Sequence, residues 1–104
     1  MEETTKRLLR CVEDICRGLG LQVKKLKGRD HGPVYFIAKD EHSPAVGIRF
    51  FRDGAEGLGE LAIYDYSPQE LQDNPGIADA QYEGIAGFLE LDDRLQFWQA
   101  EGSL

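Results

Sequence analysis

Between Leu21 and Tyr66 the chain holds four short runs rich in β-branched and aromatic residues, joined by connections of five to seven residues. Parallel neighbours need a crossover of about a dozen residues or more, whereas antiparallel ones need only a turn. The runs are Leu21–Leu26, Val34–Lys39, Ala45–Arg52 and Leu58–Tyr66, and Gly, Pro, Asp and Ser bound them. Their spacing predicts a four-stranded antiparallel meander. The glycine-rich stretch Gly54-Ala55-Glu56-Gly57-Leu58-Gly59 leads into a strand rather than a helix. It therefore reads as a hairpin turn with glycines at positive φ, and not as a phosphate-binding loop.

Alternation within the runs leaves neither sheet face cleanly polar. Val46, Ile48 and Phe50 oppose Gly47, Arg49 and Phe51, and Leu61 and Ile63 oppose Tyr64 and Tyr66. A sheet apolar on both sides requires cover on both sides. Residues 4–19 supply one cover. Leu8, Val12, Ile15 and Leu19 form a single helical stripe, and Gly18 and Gly20 end it. The C-terminal third is expected to supply the other, or else a partner does. Ser67-Pro68-Gln69-Glu70 is a capping-box start for a short helix that Asp73-Asn74-Pro75-Gly76 breaks. A longer helix is expected from about Ile77 to Glu90, with Ile77, Gln81, Ile85, Phe88 and Leu89 near one face. Asp92 and Asp93 are expected to cap a final turn carrying Leu95, Phe97 and Trp98, with a fifth strand over 95–99 as the alternative. The fold class is thus α+β in the order α-β-β-β-β-α, forming one domain over residues 1–104.

Charge divides the chain. Residues 1–52 carry 11 Lys/Arg against 7 Asp/Glu, and residues 53–104 carry 1 against 12, within a net charge of −7. Asymmetry of this kind points to charged partners. Glu70, Asp73, Asp79, Glu83 and Glu90 are the candidate acidic contact residues. Asp79, Glu83 and Glu90 fall within about 60° of one another if they share a helix. Lys24, Lys25, Lys27 and Arg29 form a basic patch suited to phosphates or to an acidic partner. Tyr35, Phe51, Tyr64 and Tyr66 are expected to line one sheet face, and left uncovered they would anchor a partner or a homodimer.

Catalytic and metal chemistry find little footing in the sequence. His31 and His42 lie in expected loops with no Cys or His at zinc spacing beside them. Asp53, Glu56 and Glu60 do not follow the twelve-position pattern of a calcium loop. Cys11 and Cys16, five residues apart on one helix, point about 140° away from each other and do not form an internal disulfide. No cofactor and no metal are expected. No apolar run approaches the roughly 20 residues of a membrane span. The start Met1-Glu2-Glu3-Thr4-Thr5-Lys6-Arg7 is not that of a signal peptide, so a cytoplasmic location is expected. The leading expectation is a non-catalytic protein-binding module of adaptor, chaperone, immunity or inhibitor type with a partner of basic character. Nucleic-acid binding through the basic half and a small enzyme or ligand binder with a surface cleft are the alternatives.

Overall fold

The computed structural model describes residues 3–26, 34–51, 57–74 and 81–104. The expected N-terminal stripe forms α1, Glu3–Gly18, with Val12 and Cys16 fully buried. Its exit is set by Gly20 at φ +73. Leu21 N–H bonds to Cys16 O at 2.8 Å and Gly20 N–H to Arg17 O at 3.2 Å, a paired closure that satisfies the last carbonyls of the helix. The chain then enters β1 (Gln22–Leu26), β2 (Val34–Ala38), β3 (Ala45–Phe50) and β4 (Gly59–Tyr64). Every consecutive pair is antiparallel, as the short connections predict. Gly57, at φ +103, lies in the β3–β4 connection as expected, while residues 53–56 lie outside the described residues.

Beyond β4 the sequence expectation holds first and then gives way. Ser67 caps α2 (Pro68–Asp73) through a complete capping box: Glu70 N–H donates to Ser67 Oγ and Ser67 N–H donates to Glu70 Oε2. The expected helix over 77–90 does not form over residues 81–87, and its last residues belong to a separate helix. Residues Glu83–Ile85 are instead a fifth strand, β5, antiparallel to β4 in the register Gly59↔Ile85, Glu60↔Gly84 and Leu61↔Glu83. Ile77 lies outside the described residues. The outer edge of β4 offers backbone groups that need partners, and Gly84, poor in a helix, pairs there opposite Glu60. Only then does α3 begin, at Phe88, and it runs to Glu101. Residues 92–100 are therefore helical and not a strand. Asp92 is no cap but a mid-helix residue accepting a bond from Gln96.

The sheet order is β1-β2-β3-β4-β5. Register assigns side chains to faces, because directly opposed residues share one. The front face joins Tyr35, Ile37, Val46, Ile48, Leu61 and Ile85 to Val12 and Cys16 of α1 and to Leu91, Leu95 and Trp98 of α3 in one core. Both long helices thus cover the same face. The back face gathers Phe36, Ala38, Ala45, Ala62 and Tyr64 under Leu71 of α2 in a second, smaller core. Gln99 Nε2 donates to Leu19 O at 2.9 Å and ties α3 to the end of α1.

Candidate binding groove

The register that builds the front core also leaves a gap in it. Ile63 pairs with Val46 and so points to the front face, yet it is 44% exposed. It stands one pleat beyond Leu61, where the pairing with β5 ends. α3 roofs the core with Leu91, Leu95 and Trp98 but does not reach over this position. A cleft of about 390 Å³ results, lined by Leu61, Ala62, Ile63, Gln81, Glu83, Arg94 and Trp98.

One wall of the cleft is an ion pair. Arg94, the only basic residue after Arg52, donates from Nη1 and Nη2 to Glu83 Oε2 at 2.9 and 2.7 Å. Its guanidinium carbon lies 5.5 Å from the centre of the Trp98 ring, within cation–π range. Arg94 and Trp98 are four residues apart and so stack on the same side of α3. Phe97, 58% exposed, adjoins that side, and Leu89, 84% exposed, stands two turns away on the outer stripe Leu89-Asp93-Phe97. The lining supplies apolar area, one tethered cation and one carboxylate. Among the described lining residues there is no nucleophile–base pair.

A second constellation lies on the back face, around three residues that sequence reasoning missed: Arg49, Glu60 and Tyr82. Arg49 Nε and Nη2 both reach Glu60 Oε2, at 2.7 and 2.6 Å, and the guanidinium carbon lies 4.1 Å above the Tyr82 ring. The Tyr82 hydroxyl lies 2.6 Å from that of Tyr64. The Arg49↔Glu60 register pair was detectable in principle, since oppositely charged residues fall on one face of adjacent strands. No sequence signal placed Tyr82 over them.

The expected site residues are dispersed. Tyr35 is on the front face and Tyr64 on the back, because Tyr35 pairs with Ile48 and Tyr64 with Ala45. Tyr35 is 2% exposed and packs on Phe50 with ring centres 5.6 Å apart, so it is core and not a surface anchor. Tyr64 is buried edge-on to Phe36. Phe51, just past β3, is half-buried against the backbone of Gly57 and Gly84. Among the four aromatics only Tyr66 is an exposed one.

The acidic helical face is not built either. Glu83 is on β5, Glu90 is on α3, and Asp79 lies outside the described residues. Several of these carboxylates have local partners. Glu70 closes the α2 capping box, Asp73 accepts from Gln69 at 2.9 Å, and Glu90 accepts Ala86 N–H at 2.7 Å at the start of α3. In the basic patch Lys24 is paired with Glu41, Lys25 is exposed, and Lys27 and Arg29 lie outside the described residues.

His31 is also outside them, and His42 is exposed in a turn where its N–H donates to Asp40 Oδ1 at 2.8 Å. That bond, with those from Ser43, holds the Asp40 carboxyl below its usual range. Among the described residues no group of three His, Cys, Asp or Glu is placed to hold a metal, and no helix is long and apolar enough to cross a membrane. No protein-family model, no curated protein and no solved structure matches the chain.

Proposed function

We propose that the chain is a non-catalytic protein-binding module whose contact surface is the β4–β5–α3 cleft with the adjoining outer side of α3. What carries the reading is the pairing of exposed apolar side chains with a tethered arginine. Ile63 and Phe97 flank an Arg94 that lies over Trp98 and is fixed by Glu83. Tryptophan, arginine and large apolar residues gathered around a concavity are the composition of interface hot spots. The prearranged ion pair reduces the ordering cost on association. A cleft of about 390 Å³ is at the small end for a ligand site, roughly 300–1,000 Å³, and suits a side chain presented by a larger partner.

The test is site-specific crosslinking in the cell of origin. A photoreactive phenylalanine at position 97 is expected to trap a discrete protein, whereas one at position 10 on the outer side of α1 is not. The trapped protein, purified, is expected to bind the wild-type chain and to lose about tenfold or more in affinity for Ile63→Lys. Equal trapping from both positions, or binding indifferent to Ile63→Lys, sinks the reading.

A further inference from the structure

We infer that the cleft receives a short basic–apolar segment of the partner: one large apolar side chain seated between Ile63 and Trp98, flanked by a Lys or Arg that meets Glu83. The inference rests on the reading of the cleft as a protein-binding surface and adds the chemistry of what enters it.

The apolar part follows from the floor. Ile63 and Leu61 of β4 and Trp98 of α3 all line the cleft, and the volume of about 390 Å³ accommodates a large side chain with some of its main chain. Desolvating these surfaces favours an apolar occupant. The basic part follows from the arrangement of charge. Both bonds from Arg94 converge on one oxygen, Glu83 Oε2, and the Glu83 side chain is 70% exposed. A carboxylate has about four acceptor sites, so Glu83 keeps capacity for an incoming cation.

β4, β5 and α3, which contribute the lining, each carry net negative charge. Asp65 beyond β4, Asp93 and Glu101 on α3 are exposed, and Arg94 is the one basic residue among the last 52 residues of the chain. Net negative charge on these elements attracts a basic segment, speeds encounter and rejects acidic competitors. An acidic occupant would have to displace Glu83 from Arg94 against that field.

Selection of random twelve-residue peptides displayed against the full chain tests this directly. Enriched peptides are expected to share one Leu, Ile, Phe, Met or Trp flanked by Lys or Arg. Their synthetic versions are expected to bind about tenfold more weakly to Glu83→Gln and to Ile63→Lys, with Arg10→Ala unchanged. Affinity is expected to fall severalfold between low and high salt as these charges are screened.

Peptides that depend on Ile63 but are neutral or acidic overturn the inference while leaving the site in place. Peptides indifferent to Ile63→Lys overturn the site as well. An empty selection overturns the inference, as does sedimentation showing that the cleft is filled by a second copy of the chain, released by Ile63→Lys.

Discussion

The ring of Tyr64 lies over Gly47 in the space where any other residue would place its β-carbon: an ideal Cβ there stands 2.5 Å from Tyr64 Cε2. The ring has little freedom to yield. Phe36 meets it edge-on at 5.5 Å between centres, and its hydroxyl is 2.6 Å from that of Tyr82. Gly47→Ala is therefore expected to destabilise the chain by about 1–3 kcal/mol, the usual cost of overpacking. Urea unfolding measures it. The same substitution made in a Tyr64→Leu background is expected to cost distinctly less, because the obstructing ring is gone. An equal cost in both backgrounds would place the strain elsewhere.

The two ends of this network differ in how far the sequence reveals them. Alternation along β3 and β4 and the short connections are local facts, and they sufficed for the helix–meander order and for the Ser67 capping box. The helix expected over 77–90 failed because its evidence was also local. Ile85, Phe88 and Leu89 fit a helical spacing, yet Ile85 is drawn to the Gly59 edge of β4, while Leu89 ends on the outer side of α3. The β4 edge at Glu60, 24 residues upstream, decided the state of Gly84, and no short window of sequence contains both. The cleft was hidden for the same reason. Ile63, Glu83 and Arg94 meet only once β5 exists. Charge segregation indicated the acidic half of the chain without indicating which carboxylates were already committed to capping and pairing.

Tyr35 makes a further point about the front core. Its hydroxyl is buried and has no hydrogen-bond partner among the described residues. Burial, with the nearby Glu13 carboxylate adding to it, raises its pKa above the ordinary 10.0. An unpartnered buried hydroxyl carries its desolvation cost without return. Tyr35→Phe is expected to leave stability unchanged or raise it by up to about 1 kcal/mol, read as the shift in urea midpoint. A clear loss would mean that the hydroxyl is bonded in solution.

The cysteines are expected to part company in reactivity and in pH dependence. Cys11 is exposed and Cys16 fully buried, so a thiol reagent should label one site in the folded chain and two in denaturant. Burial, reinforced by Glu13, pushes the Cys16 thiol from its ordinary 9.0 up to about 12. Between those values the unfolded chain gives up a proton that the folded chain keeps. The unfolded state then binds fewer protons, and stability must fall as pH rises. The alkaline branch of the stability curve should be shallower in Cys16→Ala, whatever that variant loses in packing at neutral pH. Parallel branches in the two proteins would refute the assignment to Cys16.

On α3 neighbouring leucines are expected to behave in opposite ways. Leu91 and Leu95 are fully buried in the front core, whereas Leu89 is 84% exposed and Phe97 58%. Truncating a buried leucine removes apolar contact and leaves a cavity, at a cost of about 2–5 kcal/mol, and Leu91→Ala and Leu95→Ala should each fall in that range. Leu89→Lys and Phe97→Lys remove no core contact and should shift stability by no more than about 0.5 kcal/mol. An added lysine also sits among Glu90, Asp93 and Glu101 on a helix whose one other cation is Arg94. If stability alone governed these positions, such replacements would carry no penalty of any kind. Loss of partner binding in Phe97→Lys at an unchanged urea midpoint would show that the exposed ring serves recognition. A large drop in stability would show that it is a packing residue instead.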